Sequence, residues 1–249
     1  MTKGSSESLS VDEYVATLRN SALPTLLVEG RSDMSMFQSI EDECFSGEVD
    51  ILPVGGRTSL FEIYSRRVEY RDSNVAFLAD ADMFAFGSPP REYTDVIFTH
   101  GYSIENDILS GGEALKVITR KHKSQWEKIL RALCHWFASI VHRCLEGEFV
   151  TYNFHPSKIV DFHSGEIHPA YRSVLISGYL LRSEAAGIAL SPIRYLRGHT
   201  LIDGIGHFLA ETKFRPKCSK EFLLHLDVLS WEDNVAISRI VSEVRRACL

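Results

Sequence analysis

Thr25-Leu26-Leu27-Val28-Glu29-Gly30-Arg31-Ser32-Asp33 and Val75-Ala76-Phe77-Leu78-Ala79-Asp80-Ala81-Asp82 share one pattern, an apolar run that stops on carboxylates. Short runs this apolar, without polar alternation, read as strands buried on both faces. Such strands belong to a parallel sheet covered by helices, and ligands bind these sheets in the crevice outside the carboxyl ends of the strands. Glu29, Asp80 and Asp82 are therefore expected to converge on one hard divalent cation, which takes oxygen donors. A third acidic cluster, Ser103-Ile104-Glu105-Asn106, is a candidate to join them.

Outward from these two runs the alternation continues. Ser10-Val11-Asp12-Glu13 is a capping box that predicts an amphipathic helix to about residue 21, stopped before Pro24. Strands are predicted over 26–29, 49–54, 75–79 and 95–98, the second ending in Gly55-Gly56. Helices are predicted over 32–44 and, capped by Ser59-Leu60-Phe61-Glu62, through about residue 70. This βαβαβ order implies an α/β fold with a mostly parallel sheet and right-handed crossovers. Beyond Gly111-Gly112 the period lengthens. Residues 113–145 predict one long helix whose apolar stripe is Trp126, Ile129, Leu130, Leu133, Trp136, Phe137 and Ile140. A turn-rich piece over 147–169 precedes helices expected over 171–184, 200–211, 219–225 and 231–247. Three regions follow: a leader and helix over 1–23, an α/β domain over 24–110, and a mainly helical region over 111–249.

The chain has 249 residues and 45% apolar content, enough for a sizeable core. Its polar first eight residues lack the apolar centre of a signal peptide. No apolar run approaches the roughly 20 residues of a membrane helix. Five cysteines without a C-x-x-C pair fit reduced thiols in a cytoplasm and exclude a zinc finger. A net charge of −6 opposes a whole-surface grip on nucleic acid. Locally, however, Lys116, Arg120, Lys121, Lys123, Lys128 and Arg131 crowd one predicted helix, either as a solvated face or as a track for phosphates. Gly55-Gly56-Arg57 is a tight turn or a phosphate contact of backbone amides and guanidinium. His155, His163 and His168 lack metalloprotease spacing, so His199, beside Arg197 at a predicted helix start, is the histidine expected to touch a phosphate.

The order Leu-Leu-Val-Glu29-Gly30-Arg31-Ser32-Asp33, then Ala-Phe-Leu-Ala-Asp80-Ala81-Asp82, resembles the TOPRIM fold of topoisomerases, primases and overcoming-lysogenization-defect nucleases. The resemblance implies that Glu29, Asp80 and Asp82 hold magnesium, with manganese as the substitute. Two further segments, Tyr102-Ser103-Ile104-Glu105-Asn106 and Tyr195-Leu196-Arg197-Gly198-His199-Thr200, are similar to those of a compact TOPRIM family found beside ABC-type ATPases in anti-phage loci such as PARIS systems. That likeness implies a cytoplasmic endonuclease toxin, a phosphodiester hydrolase restrained by an ATPase sensor subunit and released on infection. Its implied substrate is nucleic acid, tRNA ahead of DNA; separately, a small acidic chain with few evident substrate contacts suggests an active form that self-associates as a homodimer, pairing two basic helices. Glu105 would join the acidic cluster or serve as a cap partner. The family usually carries Lys where this chain has His199, leaving Arg197 as the substitute cation.

The chemistry suits these residues, because phosphodiester hydrolysis builds negative charge that magnesium between carboxylates offsets. Glu29 is a ligand or a general base. Asp33 is a supporting acceptor or an ordinary helix N-terminal residue. Three other readings stay open: a non-catalytic TOPRIM-like binding module, a DNA-cleaving TOPRIM nuclease, and a glycosyltransferase of the Asp-x-Asp type that leaves Glu29-Gly30 unexplained.

Overall fold

Strand β1 (Thr25–Val28) is the centre of the sheet, and the computed structural model buries all four of its residues. The described residues are 9–30, 34–118, 120–212 and 218–249, with the side chains of Arg120 and Lys121 not included. The expected leader over 1–8 and Asp33 lie outside them. In chain order, helix α1 (Val11–Asn20) precedes β1, which is followed by α2 (Met34–Ile40), β2 (Asp50–Pro53), α3 (Arg57–Ser65), β3 (Val75–Ala79) and β4 (Val96–Phe98). Then come α4 (Ile104–Leu109), α5 (Glu113–Lys116), α6 (Arg120–Leu145), α7 (Pro156–Ile159), α8 (Ser183–Leu190), α9 (Pro192–Tyr195), α10 (Gly198–Glu211), α11 (Lys220–Val228) and α12 (Val235–Cys248). These form two compact units. One holds the chain to Asp80 with Pro90–Thr99 and Ile237–Leu249; the other holds Ala81–Pro89 and His100–Ala236.

In the first unit the strands run parallel in the order β2-β1-β3-β4, with Val28 opposite both Pro53 and Leu78. The sheet is α/β, as expected, and the continuous apolar runs are buried because helices cover both faces. The helix expected within the separate segment over 1–23 is instead part of this core. Tyr14, Val15 and Leu18 of α1 are each 1% exposed and pack with Leu60, Ile63 and Phe77. Burying side chains of this kind stabilises by about 1.5–3 kcal/mol apiece. The Tyr14 hydroxyl donates to Pro53 O at 2.9 Å, and Ser73 Oγ donates to Leu18 O at 2.7 Å. The capping box forms as predicted, Ser10 Oγ accepting from Glu13 N.

Helix α3 starts at Arg57, two residues before its expected Ser59 cap, because Gly55 (φ +86) and Gly56 (φ +134) turn the chain out of β2 earlier. The chain end does not belong to one helical region over 111–249. From Ile237 onward α12 joins the first unit, where Arg239 Nη2 donates to Phe98 O at 2.6 Å and Arg245 Nη2 to Cys44 O at 3.0 Å. Its buried face of Ile237, Ile240, Val241 and Val244 drives that return.

The second unit is helical and built around α6, whose predicted stripe of Trp126, Ile129, Leu133, Trp136, Phe137 and Ile140 is buried. Leu130 is only half-buried. The expected single helix over 113–145 is two: Asp227 of α11 caps the start of α5 by accepting from Glu113 N at 2.7 Å and Ala114 N at 3.0 Å, and α5 ends in tightened i→i−3 bonds, Val117 N to Ala114 O and Ile118 N to Leu115 O, before α6 begins at Arg120. The helix expected over 171–184 does not form. Ile176 N donates to Ser139 Oγ at 3.0 Å and Ile176 O meets His135 Nε2 at 2.8 Å, so side chains of α6 take the backbone groups a helix would use. Two short 3-10 turns, Pro169–Val174 and Gly178–Leu180, stand there instead.

Candidate functional site

In a sheet ordered 2-1-3-4 the connection from β1 leads to one side and the chain returns to β3 on the other, which makes the space past the ends of β1 and β3 the switch point where ligands bind. Glu29 is the first residue past β1 and Asp80 the first past β3. The two meet there. Asp80 N donates to Glu29 Oε1 at 3.1 Å, which fixes the orientation of that carboxylate. The side chain of Glu29 is 19% exposed, buried enough to be held and open enough to reach a ligand. Arg57, carried in by the Gly55-Gly56 turn, places Nη1 3.9 Å from the same oxygen and lies over the Phe61 ring at 5.3 Å from its centroid. Carboxylates at two neighbouring strand ends are the donors magnesium takes, since that ion is commonly held through one or two carboxylates with the rest of its shell water and phosphate. Among the described residues no three His, Cys, Asp or Glu side chains already stand as a cluster fit for a metal ion.

The other predicted residues, Asp82, Glu105, Arg197 and His199, belong to the second unit. The Asp-x-Asp pair is thus divided between units at Asp80 and Ala81. Asp82 has φ +48, a left-handed conformation that costs on the order of 1–3 kcal/mol for a residue with a side chain. Its N–H donates to Tyr102 O at 2.7 Å, and Phe86, four residues on, packs near Tyr102 and Phe137. The Tyr102 hydroxyl is pushed well above its ordinary value, first by burial and then by the charge of Asp82.

Residues 103–107 form a network with almost no exposure. Ser103 and Asn106 make a reciprocal capping box, Asn106 Oδ1 accepting from Ser103 N at 3.0 Å. Asn106 Nδ2 donates to Ile193 O at 2.6 Å and Leu196 O at 2.7 Å, which ties α4 to the turn before α10. Asp107 accepts from His100 N at 2.8 Å and Gly101 N at 2.6 Å. Glu105 is 2% exposed. Its Oε2 accepts from Ser103 Oγ at 2.6 Å, while Oε1 stands 3.4 Å from His199 Nε2 and 3.6 Å from Lys220 Nζ. Lys220 Nζ is also 3.2 Å from His199 Nδ1, so the imidazole bridges ammonium and carboxylate.

The two quoted motifs interlock here through a missing side chain. Gly198, the first residue of α10, lies so close to α4 that a Cβ would stand 2.1 Å from Ser103 Oγ, 2.8 Å from Glu105 Oε2 and 2.9 Å from Asn106 Oδ1. His199 follows it, half-buried in the first turn of α10, and Arg197 precedes it, its carbonyl accepting from Leu201 N at 3.0 Å.

Within its unit, then, Glu105 meets the Lys220 ammonium and the His199 imidazole, and Asn106 rather than Glu105 completes the cap. Lys220 was not anticipated. Ser219 is legible as a helix cap, yet nothing in the sequence says where the following lysine points. His207 stacks edge-on against Phe162 at 4.6 Å, with His155 at 5.6 Å, as packing histidines do. On α6, Lys123, Lys128 and Arg131 are exposed, and Lys116 pairs with Glu113. No protein-family model matches the chain, and no curated protein matches it. No helix among the described residues is long and apolar enough to cross a membrane.

Proposed function

We propose that the chain is a magnesium-dependent endonuclease, the toxic effector of an anti-phage system, of the kind represented by AriB in PARIS-type defence. The observation that carries this reading is the contact of Glu29 with Asp80 at the switch point of a parallel sheet. Glu29 and Asp80 would hold the ion, with manganese as a substitute, and Asp82 follows as the second acid of the pair. When bound, the ion offsets charge on the scissile phosphate and lowers the pKa of a water nucleophile. The Asp80 N–H keeps Glu29 oriented, and Arg57 supplies a guanidinium beside the crevice for a phosphate oxygen. In the second unit, Arg197 and His199 at the start of a 14-residue helix suit contact with a nucleic-acid backbone, while Glu105 holds His199 in place. tRNA stands ahead of DNA on family likeness. An ABC-type ATPase partner restrains the toxin in this reading, and release permits a homodimer.

The test is cleavage of total tRNA and supercoiled plasmid by purified wild type, Glu29→Ala and Asp80→Asn, with magnesium, with manganese and with chelator. Metal-dependent products lost in both variants, which keep the wild-type circular dichroism, are the expected result. Equal cleavage by wild type and both variants would refute it. A second reading is a non-catalytic binding module, for which Glu29→Ala would leave the biological effect intact. The Asp-x-Asp glycosyltransferase reading leaves the Glu29–Asp80 contact without a role.

A further inference from the structure

A groove of about 860 Å³ runs along α6 in the second unit, walled by the turn at residues 164–167, the strap at 172–181 and helix α8. Its volume lies within the range of small-molecule sites. The groove is polarised from end to end. Lys128 and Arg131 line one end, joined by Arg172, which donates through Nε to Ile167 O at 2.9 Å and pairs with Glu166 at 3.3 Å. The 164–167 turn is pressed against that end, since a Cβ on Gly165 would stand 3.0 Å from Lys128 Cβ. Ten residues and about 15 Å further along the helix axis, the lining is Ala138, Leu175 and Leu181. The strap is fixed over that apolar end by the Ile176 bond to Ser139. Ala186 and Ala189 of α8 form the facing wall with no bulk to fill the space between.

We infer that this groove is a binding site for an aliphatic anion, its carboxylate or phosphate head at Lys128, Arg131 and Arg172 and its chain lying toward Ala138. Three cations against one carboxylate, itself paired with Arg172, make a local positive field in a chain of net charge −6. The small and aliphatic walls accept a flexible chain. The lining holds no Phe, Tyr or Trp, and its one ring, the His135 imidazole, is tied through Nε2 to Ile176 O at 2.8 Å, so a nucleobase would find no broad stacking platform there. The groove shares no lining residue with the proposed nuclease site, since Glu29 and Asp80 belong to the other unit and neither Arg197 nor His199 lines it.

The experiment is titration calorimetry on the full chain with decanoate and decyl phosphate, against decanol, decyltrimethylammonium and adenosine monophosphate. Decanoate or decyl phosphate is expected to bind at least tenfold tighter than the alcohol, the cation or the nucleotide. Affinity should fall at least tenfold in Arg131→Glu and in Arg172→Glu, and vanish in Ala186→Phe, while circular dichroism and melting without ligand match wild type. Sedimentation with phosphatidylglycerol vesicles separates the two sources of such an anion: retention lost in Arg131→Glu assigns the lipid of a bilayer, and soluble binding alone assigns a free acid or phosphate ester. Equal binding of decanol and decanoate, or no change on charge reversal in folded variants, would overturn the inference.

Discussion

Replacing Gly198 by Ala puts a methyl group where Ser103 Oγ now stands, because the added Cβ would come within 2.1 Å of that oxygen. The contact has no cheap escape. Ser103 Oγ is held at 2.6 Å by Glu105 Oε2 and at 2.9 Å by Asn106 Oδ1, both on side chains that are themselves buried. Moving the hydroxyl forfeits a bond to a charged group, about 1.5–3 kcal/mol, and leaves a buried carboxylate oxygen short of a donor. Alanine recovers at most about 1 kcal/mol through helix propensity. The net loss is about 2 kcal/mol, and at roughly 2–4 °C per kcal/mol for a chain of this length the melting temperature should drop by about 4–8 °C. Gly206→Ala is the internal control. It makes the same change in the same helix, but its Cβ would meet nothing within 4 Å, so propensity alone should raise the melting temperature by about 2–4 °C. Differential scanning calorimetry on the three proteins decides the matter. If Gly198→Ala melts like wild type, or the two variants shift alike, the interlock of α4 with α10 is wrong.

Lys220→Met removes the ammonium facing the buried Glu105, and loss of one partner from such a group costs about 3 kcal/mol. A lower urea midpoint is expected, partly restored by adding Glu105→Gln; an unchanged midpoint would remove Lys220 from the site. The Glu184 carboxyl is held down at about 2 by a hydrogen bond to its own backbone, then by Arg182 and Ser183. A folded value below the ordinary 4.5 means its contribution is present above pH 4.5 and lost as pH falls toward 2. The melting difference between wild type and Glu184→Gln should therefore narrow across that window, and a constant difference would contradict the pairing. Burial pushes the Cys44 and Cys134 thiols up to about 12, and raises Cys248 as well. Iodoacetamide at pH 8 should accordingly spare these three buried thiols in the folded chain, modify Cys218 and react more slowly with Cys144, whose thiol is also raised by burial, as read by mass spectrometry; rapid labelling of Cys134 would place it outside the core.

The sheet was legible because β1 and β3 are buried on both faces, so their apolar runs carry no competing period. Glu29 and Asp80 were legible for the same reason, as the first polar residues past buried strands. Local chemistry stopped short elsewhere. Ser59 and Glu62 have the spacing of a capping box, but two glycines with positive φ start the helix earlier, and propensity alone does not rank a cap against a turn. Residues 171–184 have enough apolar content for a helix, and what defeats it is Ser139 and His135, supplied from another element. The amphipathic face of α12 was visible, whereas its destination beside Phe98 and Cys44 was not.

Glu105 shows where that limit lies. Its type and position are compatible with a metal ligand, a cap partner or an ion pair, and the choice turns on Lys220 and Gly198, both far along the chain. Gly198 contributes by having no side chain, and an absent Cβ leaves no hydrophobic or charge pattern to read. A glycine opening a helix is ordinarily ascribed to backbone freedom, yet Gly198 has no positive φ and is confined by the polar atoms packed on it. The Ser103–Asn106 segment and the glycine before His199 therefore constrain each other: a side chain at 198 disturbs the serine that holds Glu105, and Glu105 in turn fixes the imidazole of His199. Any role of His199 toward a phosphate depends on that chain of contacts, so Gly198→Ala should impair it without touching a ligand.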